Sequence, residues 1–132
     1  MELKSFATDE SKKKEGIWVE FEGARFKIKS TDSPQYRRAV DRAAKRRSPT
    51  KVRKDIETQT EIGIEGIADG VLLDWEGLTD GGEPVECTRE NKIRVLTAVP
   101  PLRDFLATEA AAMANFSAER VVADAEDFRE SD

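Results

Sequence analysis

Alternating apolar and polar residues between positions 17 and 29 predict a β-hairpin. The stretch reads IWVEFEGARFKIK, and its apolar side chains occupy every second position on both sides of Gly23. A period of two on each side of a glycine-containing turn is the pattern of two antiparallel strands with one apolar face. Phe21 and Phe26 flank the turn on that face, while acids on the first strand oppose bases on the second. Because a lone hairpin is marginally stable in water, we expect the apolar face to pack against helices.

Apolar residues at steps of three and four predict two helices in the middle of the chain. Residues 30–48 carry a weak apolar stripe, and Ser33 ahead of Pro34 is a typical N-terminal cap. Residues 50–76 carry a longer stripe that ends near Trp75. Three glycines interrupt this second stripe, and each costs about 1 kcal/mol relative to alanine in a helix. Either close packing of a neighbouring element or a local kink accounts for them.

A glycine-rich turn and two more helices follow. The turn reads GLTDGGEPVECT, and its final residue, Thr88, is a good N-cap for a short helix that carries Leu96. Pro100 and Pro101 end this helix and begin the last one, whose apolar side runs as far as Phe116.

These elements predict a mainly α fold with a small N-terminal β-hairpin, an α+β domain that spans residues 16–116. Residues 1–15 are predicted to form a mobile polar arm, and residues 117–132 a loose acidic tail. Hydrophobic residues are 38% of the chain and charged residues 37%, compared with about 45–50% and 25% in a typical globular protein. We therefore expect a single compact domain with a small core and a large charged surface.

Neither a membrane anchor nor a leader is expected. The apolar runs are all far shorter than the ~20 residues of a membrane span. The start, MELKSFATDESKKKEG, lacks the apolar stretch of a signal peptide. We therefore expect a cytoplasmic protein without a membrane partner.

The residue inventory disfavours an enzyme. The chain has one cysteine, Cys87, and no histidine, so it has no internal disulfide, no Ser-His or Cys-His pair and no Cys/His zinc site. Its glycines do not match a phosphate-binding loop. The 27 acidic residues leave a carboxylate site for Mg²⁺ or Ca²⁺ open in principle, but no spacing resembles an EF-hand loop. We expect no catalytic residue, no cofactor and no bound metal.

Positive and negative charges are divided along the chain. Residues 1–54 hold 16 Lys and Arg against 8 Asp and Glu, whereas residues 55–132 hold 6 against 19. The bases are densest in one cluster: Arg37, Arg38, Arg42, Lys45, Arg46, Arg47, Lys51, Arg53 and Lys54. This cluster is either a solvated helix face, a contact for an acidic partner or a neighbouring copy, or a nucleic-acid site. A pI near 5.0 and the shortage of aromatic residues among the bases argue against nucleic acid.

Contact between the basic and acidic halves can occur within one chain or between chains. Between chains, it would join copies head to tail into a weak, salt-sensitive homo-oligomer. We expect the side chains of Arg42, Arg46 and Arg47 to point to solvent. Their reversal to Glu should then weaken the association without unfolding the chain.

The segment GVLLDWEGLTDGGEPVECTRENKIRVLTAVPPLRDFLATEA, residues 70–110, resembles the tail assembly chaperones of long-tailed bacteriophages. In that family a helix ends in a tryptophan, a loop with Leu, Asp and Gly follows, and two helices separated by prolines come next. The matching positions here are Trp75, Leu78, Asp80, Gly82, Pro84, Val85, Thr88, Glu90, Asn91, Leu96 and Pro100. The hairpin, followed by an Arg-rich segment after Pro34 and Tyr36, is also similar to the family.

The resemblance implies a non-enzymatic assembly protein. Tail assembly chaperones coat the long, helical tape measure protein before the tail tube polymerises around it. They also bind tail-tube subunits, and they are absent from the finished virion. For this chain the resemblance implies a location in the host cell cytoplasm. Two alternatives stay open: a small structural protein of the tail or neck that is retained in the virion, and a nucleic-acid-binding regulator that uses residues 37–54.

Seven residues are candidates for contact with such partners: Trp18, Arg42, Arg46, Arg47, Trp75, Leu78 and Pro84. Trp18 lies on the charged face of the predicted hairpin, where partner contact and packing are both open. Trp75 closes the apolar stripe of the predicted 50–76 helix, and core packing is favoured over a role as a partner anchor. Leu78 and Pro84, with Val85, are expected to hold the turn against the core.

Overall fold

The computed structural model of the chain describes residues 15–114, so most of the predicted arm, Phe116 and the acidic tail lie outside the described residues. The strands are β1 (Ile17–Phe21), β2 (Ala24–Ile28), β3 (Leu72–Glu76), β4 (Thr79–Asp80) and β5 (Glu83–Pro84). The helices are α1 (Pro34–Lys45), α2 (Pro49–Lys54), α3 (Ile56–Gly70), α4 (Arg89–Ala98) and α5 (residues 100–114). The prediction of a mainly α fold with a small N-terminal β-hairpin is confirmed.

Two residues with positive φ angles connect the strands of the hairpin. β1 and β2 pair antiparallel, with Phe21 opposite Ala24 next to the turn. Glu22 and Gly23 link them with φ angles of 50° and 82°. Positive φ at both central residues is typical of a type I′ turn, whose twist matches that of the flanking strands. The hairpin therefore forms where the sequence pattern predicts it.

A third strand occupies residues that the sequence pattern assigns to a helix. α3 ends at Gly70, and β3 pairs antiparallel with β2 so that Trp75 lies opposite Phe26. The register of this pairing shifts between Lys27 and Ile28, an irregularity of the kind that a β-bulge produces. Leu72 and Trp75 consequently both face the core, although they lie three positions apart. That spacing imitates a helical stripe, which is why the prediction of a helix over 50–76 is wrong here.

The same predicted helix is also interrupted near its start. α2 ends at Lys54 and α3 begins at Ile56, and Asp55 between them is the N-cap of α3. The Asp55 carboxylate accepts hydrogen bonds from the hydroxyl and the backbone N–H of Thr58. These bonds, the hydroxyl bond above all, hold the pKa of Asp55 below its ordinary value. The cap therefore starts a new helix in place of continuing α2.

The two N-caps predicted from sequence are confirmed. The Ser33 side chain accepts a hydrogen bond from the backbone N–H of Tyr36 at the start of α1. The Thr88 side chain accepts one from the backbone N–H of Asn91 at the start of α4. Each cap satisfies a donor that the first helical turn leaves without a partner.

Aromatic residues join the sheet to the helices in the core. The Trp75 ring meets Phe26 edge-on, with 6.4 Å between ring centroids, and its indole N–H donates to the Val85 carbonyl at 2.7 Å. Phe21 contacts Phe105 of α5 with 5.3 Å between centroids. The prediction that the hairpin packs on helices is confirmed. The prediction that Trp75 packs in the core is also confirmed, although Trp75 belongs to a strand.

Close packing of α1 against α3 accounts for two of the three glycines in α3. A Cβ on Gly66 would lie 2.9 Å from the Val40 Cγ2 atom, and a Cβ on Gly70 would lie 2.5 Å from the Tyr36 Cα atom. Both distances are too short for non-bonded carbon atoms. At Gly63 an added Cβ would meet no atom within 4 Å. Gly66 and Gly70 are therefore required by the helix contact, whereas Gly63 is not.

Gly63→Ala and Gly70→Ala should change stability in opposite directions. Alanine favours a helix over glycine by about 1 kcal/mol, and nothing opposes that gain at position 63, so Tm should rise by about 4 °C. At position 70 the new methyl group meets the α1 backbone, so the free energy of unfolding should fall by about 1–3 kcal/mol. Chemical denaturation measures both variants. A Gly70→Ala protein as stable as the Gly63→Ala protein would show that α1 and α3 do not touch at this point.

Phe26→Ala should remove much of the stability of the domain. Phe26 is 1% exposed in the centre of the sheet, and truncation of a buried Phe costs about 3–5 kcal/mol. Ile56→Ala is the matched control, because Ile56 is 78% exposed and its truncation should change the free energy of unfolding by no more than about 0.5 kcal/mol. Equal denaturation midpoints for the two variants would mean that the hairpin is not part of the core.

Candidate protein-binding surface

Acidic side chains four residues apart along α3 bind one arginine just after α1 and another at the start of α4. Glu61, Glu65 and Asp69 form this acidic stripe. Arg47, which follows the end of α1, lies 2.6 Å from Glu65 and 3.3 Å from Glu61. Arg89 in the first turn of α4 lies 2.9 Å from Asp69. The acidic stripe therefore ties both α1 and α4 to α3.

Glu65 is the centre of this network. Only 13% of its side chain is exposed, and Arg46, Arg47 and Arg89 all lie within 3.3 Å of its oxygens. Oε1 accepts hydrogen bonds from Arg46 and Arg89, whereas the 2.6 Å contact of Oε2 with Arg47 is an ion pair without hydrogen-bond alignment. The hydrogen bond to Asp69 and the nearby Glu65 charge raise the pKa of Arg89. Because little water reaches Glu65, salt screens these pairs less than pairs on the open surface.

The expectation that Arg47 points to solvent is wrong, and Arg46 is held by Glu65 although 53% of its side chain is exposed. Both pair with Glu65 of the same chain, and only 21% of the Arg47 side chain is exposed. Arg47 also donates to the Ala43 carbonyl at 2.7 Å. Reversal of either residue to Glu would place two carboxylates in contact, so it would disturb the fold. Arg42 is exposed, as expected.

Sequence reasoning missed Glu65, Asp69 and Arg89. A usable signal was present, because acids at positions 61, 65 and 69 lie on one face of any helix that contains them. What the signal could not show is which bases would face that stripe.

Six further bases, on the outer side of α1 and on α2, make no ion pair with the residues from 15 to 114. They are exposed, and they define the basic surface: Arg37, Arg38, Arg42, Lys51, Arg53 and Lys54. Asp41 interrupts them in sequence but binds Lys45 at 3.0 Å. Ile56 follows α2 directly and is 78% exposed. The basic surface thus combines a positive charge with an apolar side chain.

Trp18 lies on the outer face of the sheet, away from the core. Its ring is half-buried, with the Arg25 guanidinium 4.8 Å from the ring centroid. Arg25 also binds Glu76 of β3 at 3.1 Å. Glu20 lies opposite Arg25 in the β1–β2 pairing, so acids of the two outer strands flank a base of the central strand, as predicted for β1 and β2.

The glycine-rich turn folds into a second, small hairpin that the sequence pattern did not predict. β4 and β5 pair antiparallel, and the Val85 backbone N–H donates to the Leu78 carbonyl at 2.9 Å. Leu78 and Val85 pack against the core, as expected. Pro84 does not, because it is exposed on β5. The seven sequence candidates therefore fall on three parts of the fold, and the structure does not unite them in one site.

The described residues also form an open cleft and carry one free thiol. The open cleft, of about 320 Å³, lies between Tyr36 of α1, Gly63 of α3 and Ala107 of α5. Burial raises the pKa of the Cys87 thiol, which lowers its thiolate fraction at neutral pH. In the part of the chain that the structure describes, no group of His, Cys, Asp and Glu is placed to hold a metal ion. No helix in that part has the length and apolar character to cross a membrane.

Glu65→Gln should destabilise the fold more than any substitution at an exposed ion pair. The change removes the negative charge that Arg46, Arg47 and Arg89 share. The hydrogen bonds from Arg46 and Arg89 then lose their charged acceptor, and a hydrogen bond to a charged group contributes about 1.5–3 kcal/mol. Asp41→Asn is the matched control, because its pair with Lys45 is exposed at 62% and 76% and contributes only about 0.3–0.5 kcal/mol. Urea denaturation of both variants gives the comparison. Equal losses would contradict the central role of Glu65.

Comparison with known proteins identifies a family for most of the chain. The model of the YdaY prophage protein family matches residues 31–127, which include all the helices described above. Comparisons with curated proteins and with solved structures gave no significant match. The family match confirms that the protein is phage-derived, as the resemblance to phage proteins implies. The chain belongs to the YdaY prophage protein family.

Proposed function

We propose that this chain is a non-enzymatic tail assembly chaperone that binds the tape measure protein and tail-tube subunits in the host cytoplasm and is absent from the finished virion. Its phage origin and the resemblance of residues 70–110 support the proposal. The observation that carries the proposal is that the residues of the resemblance stabilise the loop and the helix that follows it. Trp75 holds the turn through Val85, and Thr88 caps the helix that follows. These residues build one corner of the fold, so a shared order of them favours a shared fold.

The exposed surface suits weak binding that is repeated along a long partner. Among residues 15–114, the exposed large hydrophobic side chains are Ile56, at 78%, and Val99, at 38%. A surface with so few apolar anchors binds an apolar helix weakly. Many copies bound along one tape measure protein gain avidity without any tight single site.

Three of the seven candidate residues are accessible to a partner and lie outside both the core and the Glu65 network: Trp18, Arg42 and Pro84. The other four hold the fold together, through Glu65 for Arg46 and Arg47 and through the core for Trp75 and Leu78. Substitutions at those four would therefore report on stability and not on binding. Partner contact is best tested at the accessible residues.

Co-expression with the tape measure protein of the same prophage tests the proposal. The soluble fraction of the tape measure protein should rise when the chain is present, because covered apolar stripes cannot aggregate. Trp18→Ala combined with Arg42→Ala should reduce that effect without loss of helical content by circular dichroism. Glu57→Ala combined with Arg94→Ala, also at exposed positions, is the control and should retain the increase in soluble tape measure protein.

A tape measure protein that is equally insoluble with and without the chain would contradict the proposal. Recovery of the chain in purified virions would favour the structural tail or neck protein.

A nucleic-acid-binding regulator is the second candidate, and the basic surface is the observation that favours it. Six exposed bases that make no ion pair within the described residues, 15–114, attract any polyanion. The nearest aromatic residue, Tyr36, packs against Gly66 and Gly70, so it is not placed to stack on bases. Salt-sensitive retention of the full chain on duplex DNA, lost in the Arg42→Gln, Arg53→Gln double variant, would favour this candidate.

A further inference from the structure

Carboxylates of the described residues, 15–114, neutralise only part of the positive charge between residues 37 and 54. Arg46 and Arg47 are neutralised by the acidic stripe on α3, and Lys45 by Asp41. The six residues of the basic surface have no carboxylate within ion-pair distance among residues 15–114. Like charges on two consecutive helices repel one another, so a ligand with negative charges is favoured here.

An apolar contact is available beside these charges. Val52, in the middle of α2, is half-buried, and Ile56 at the start of α3 is 78% exposed. A ligand that fits this surface therefore carries acidic residues and also a few apolar ones.

Residues 117–132 of the same chain have that composition. They contain six acids against two bases, together with Val121, Val122 and Phe128. α5 passes close to the start of α1, where the basic surface begins. The Thr31 backbone N–H, just before α1, donates to the Ala110 carbonyl of α5 at 3.3 Å. The 12 residues of α1 extend for about 18 Å at 1.5 Å per residue. Sixteen residues can span roughly 50 Å when extended, so the segment is long enough to reach α2.

We propose that residues 117–132 bind the basic surface of their own chain, with the acids on Arg38, Arg42 and Arg53 and the apolar side chains near Ile56. A tethered segment acts at an effective concentration of about 1 mM or more, so weak individual pairs suffice. An acidic partner of the basic surface must then displace this segment before it binds. The inference is independent of the proposed function.

A spin label in the segment locates its binding site in the full-length chain. Cys87→Ala removes the native thiol, and Ser131→Cys provides the attachment point, with helical content compared with the parent by circular dichroism. At about 0.05 M salt the label should broaden the backbone amide signals of residues 37–54 and leave those of β4 and β5 sharp. At about 1 M salt, where the screening length is near 3 Å, the broadened signals should recover.

Matched charge variants test the named contacts. In the labelled chain, Arg42→Gln with Arg53→Gln should largely remove the broadening at low salt. Lys27→Gln with Arg94→Gln removes the same charge elsewhere on the fold and should leave it unchanged. Equal loss in the two double variants would show a general effect of net charge and would overturn the proposal. Ile56→Ser should reduce the broadening, and an unchanged profile would remove the apolar contact from the proposal.

A mixture of two samples separates contact within one chain from contact between copies. Spin-labelled chain without ¹⁵N is mixed with ¹⁵N chain that has no spin label. The chain that carries both labels is also measured at several dilutions. We expect no broadening in the mixture, and broadening that does not change with dilution in the chain that carries both labels. Broadening in the mixture would assign the basic surface to a second copy and overturn the proposal. Sharp signals for residues 37–54 at low salt would overturn it as well.

Discussion

The close approach of α1 to α3 is the contact on which most of this structure depends. It is permitted by Gly66 and Gly70, whose missing side chains leave room for Val40 and Tyr36. The contact places the end of α1 beside the acidic stripe of α3, so that Arg47 meets Glu65 at 2.6 Å. A larger residue at either glycine would separate the helices and weaken both the packing and the ion pairs. Local helix propensity is lower as a result, because each glycine favours the unfolded chain.

The same contact divides the bases of α1, and of the two residues that follow it, into two groups with different roles. Arg46 and Arg47, just after the helix, are held by Glu65, which is largely buried, and they contribute to the stability of the fold. Those on the outer side, such as Arg38 and Arg42, face solvent without an ion pair among residues 15–114. Exposed charges contribute little to folding stability. They are therefore available for recognition at little cost to the fold.

The hairpin lies outside the family match but packs against the loop that resembles tail assembly chaperones. The family match covers the helices but begins after the hairpin, at residue 31. The hairpin nevertheless supplies Phe26 to the core, and its partner strand β3 supplies Trp75. Trp75 in turn fixes the loop whose residues carry the resemblance to tail assembly chaperones. The loop and the sheet thus form one structural unit, in which Trp75 contacts both.

The sequence by itself determined the features that depend on neighbouring residues. The hairpin at Gly23 and the caps at Ser33 and Thr88 follow from short-range periodicity, turn geometry and side chain to backbone hydrogen bonds. Only the tertiary structure decided that residues 72–76 form a strand, because the strand that pairs with them, β2, lies far away in sequence: Arg25 and Glu76 are opposite one another across 51 positions. Which arginines meet Glu65 was decided in the same way. These outcomes depend on how helices and strands approach in space, and a local pattern holds no information on that approach.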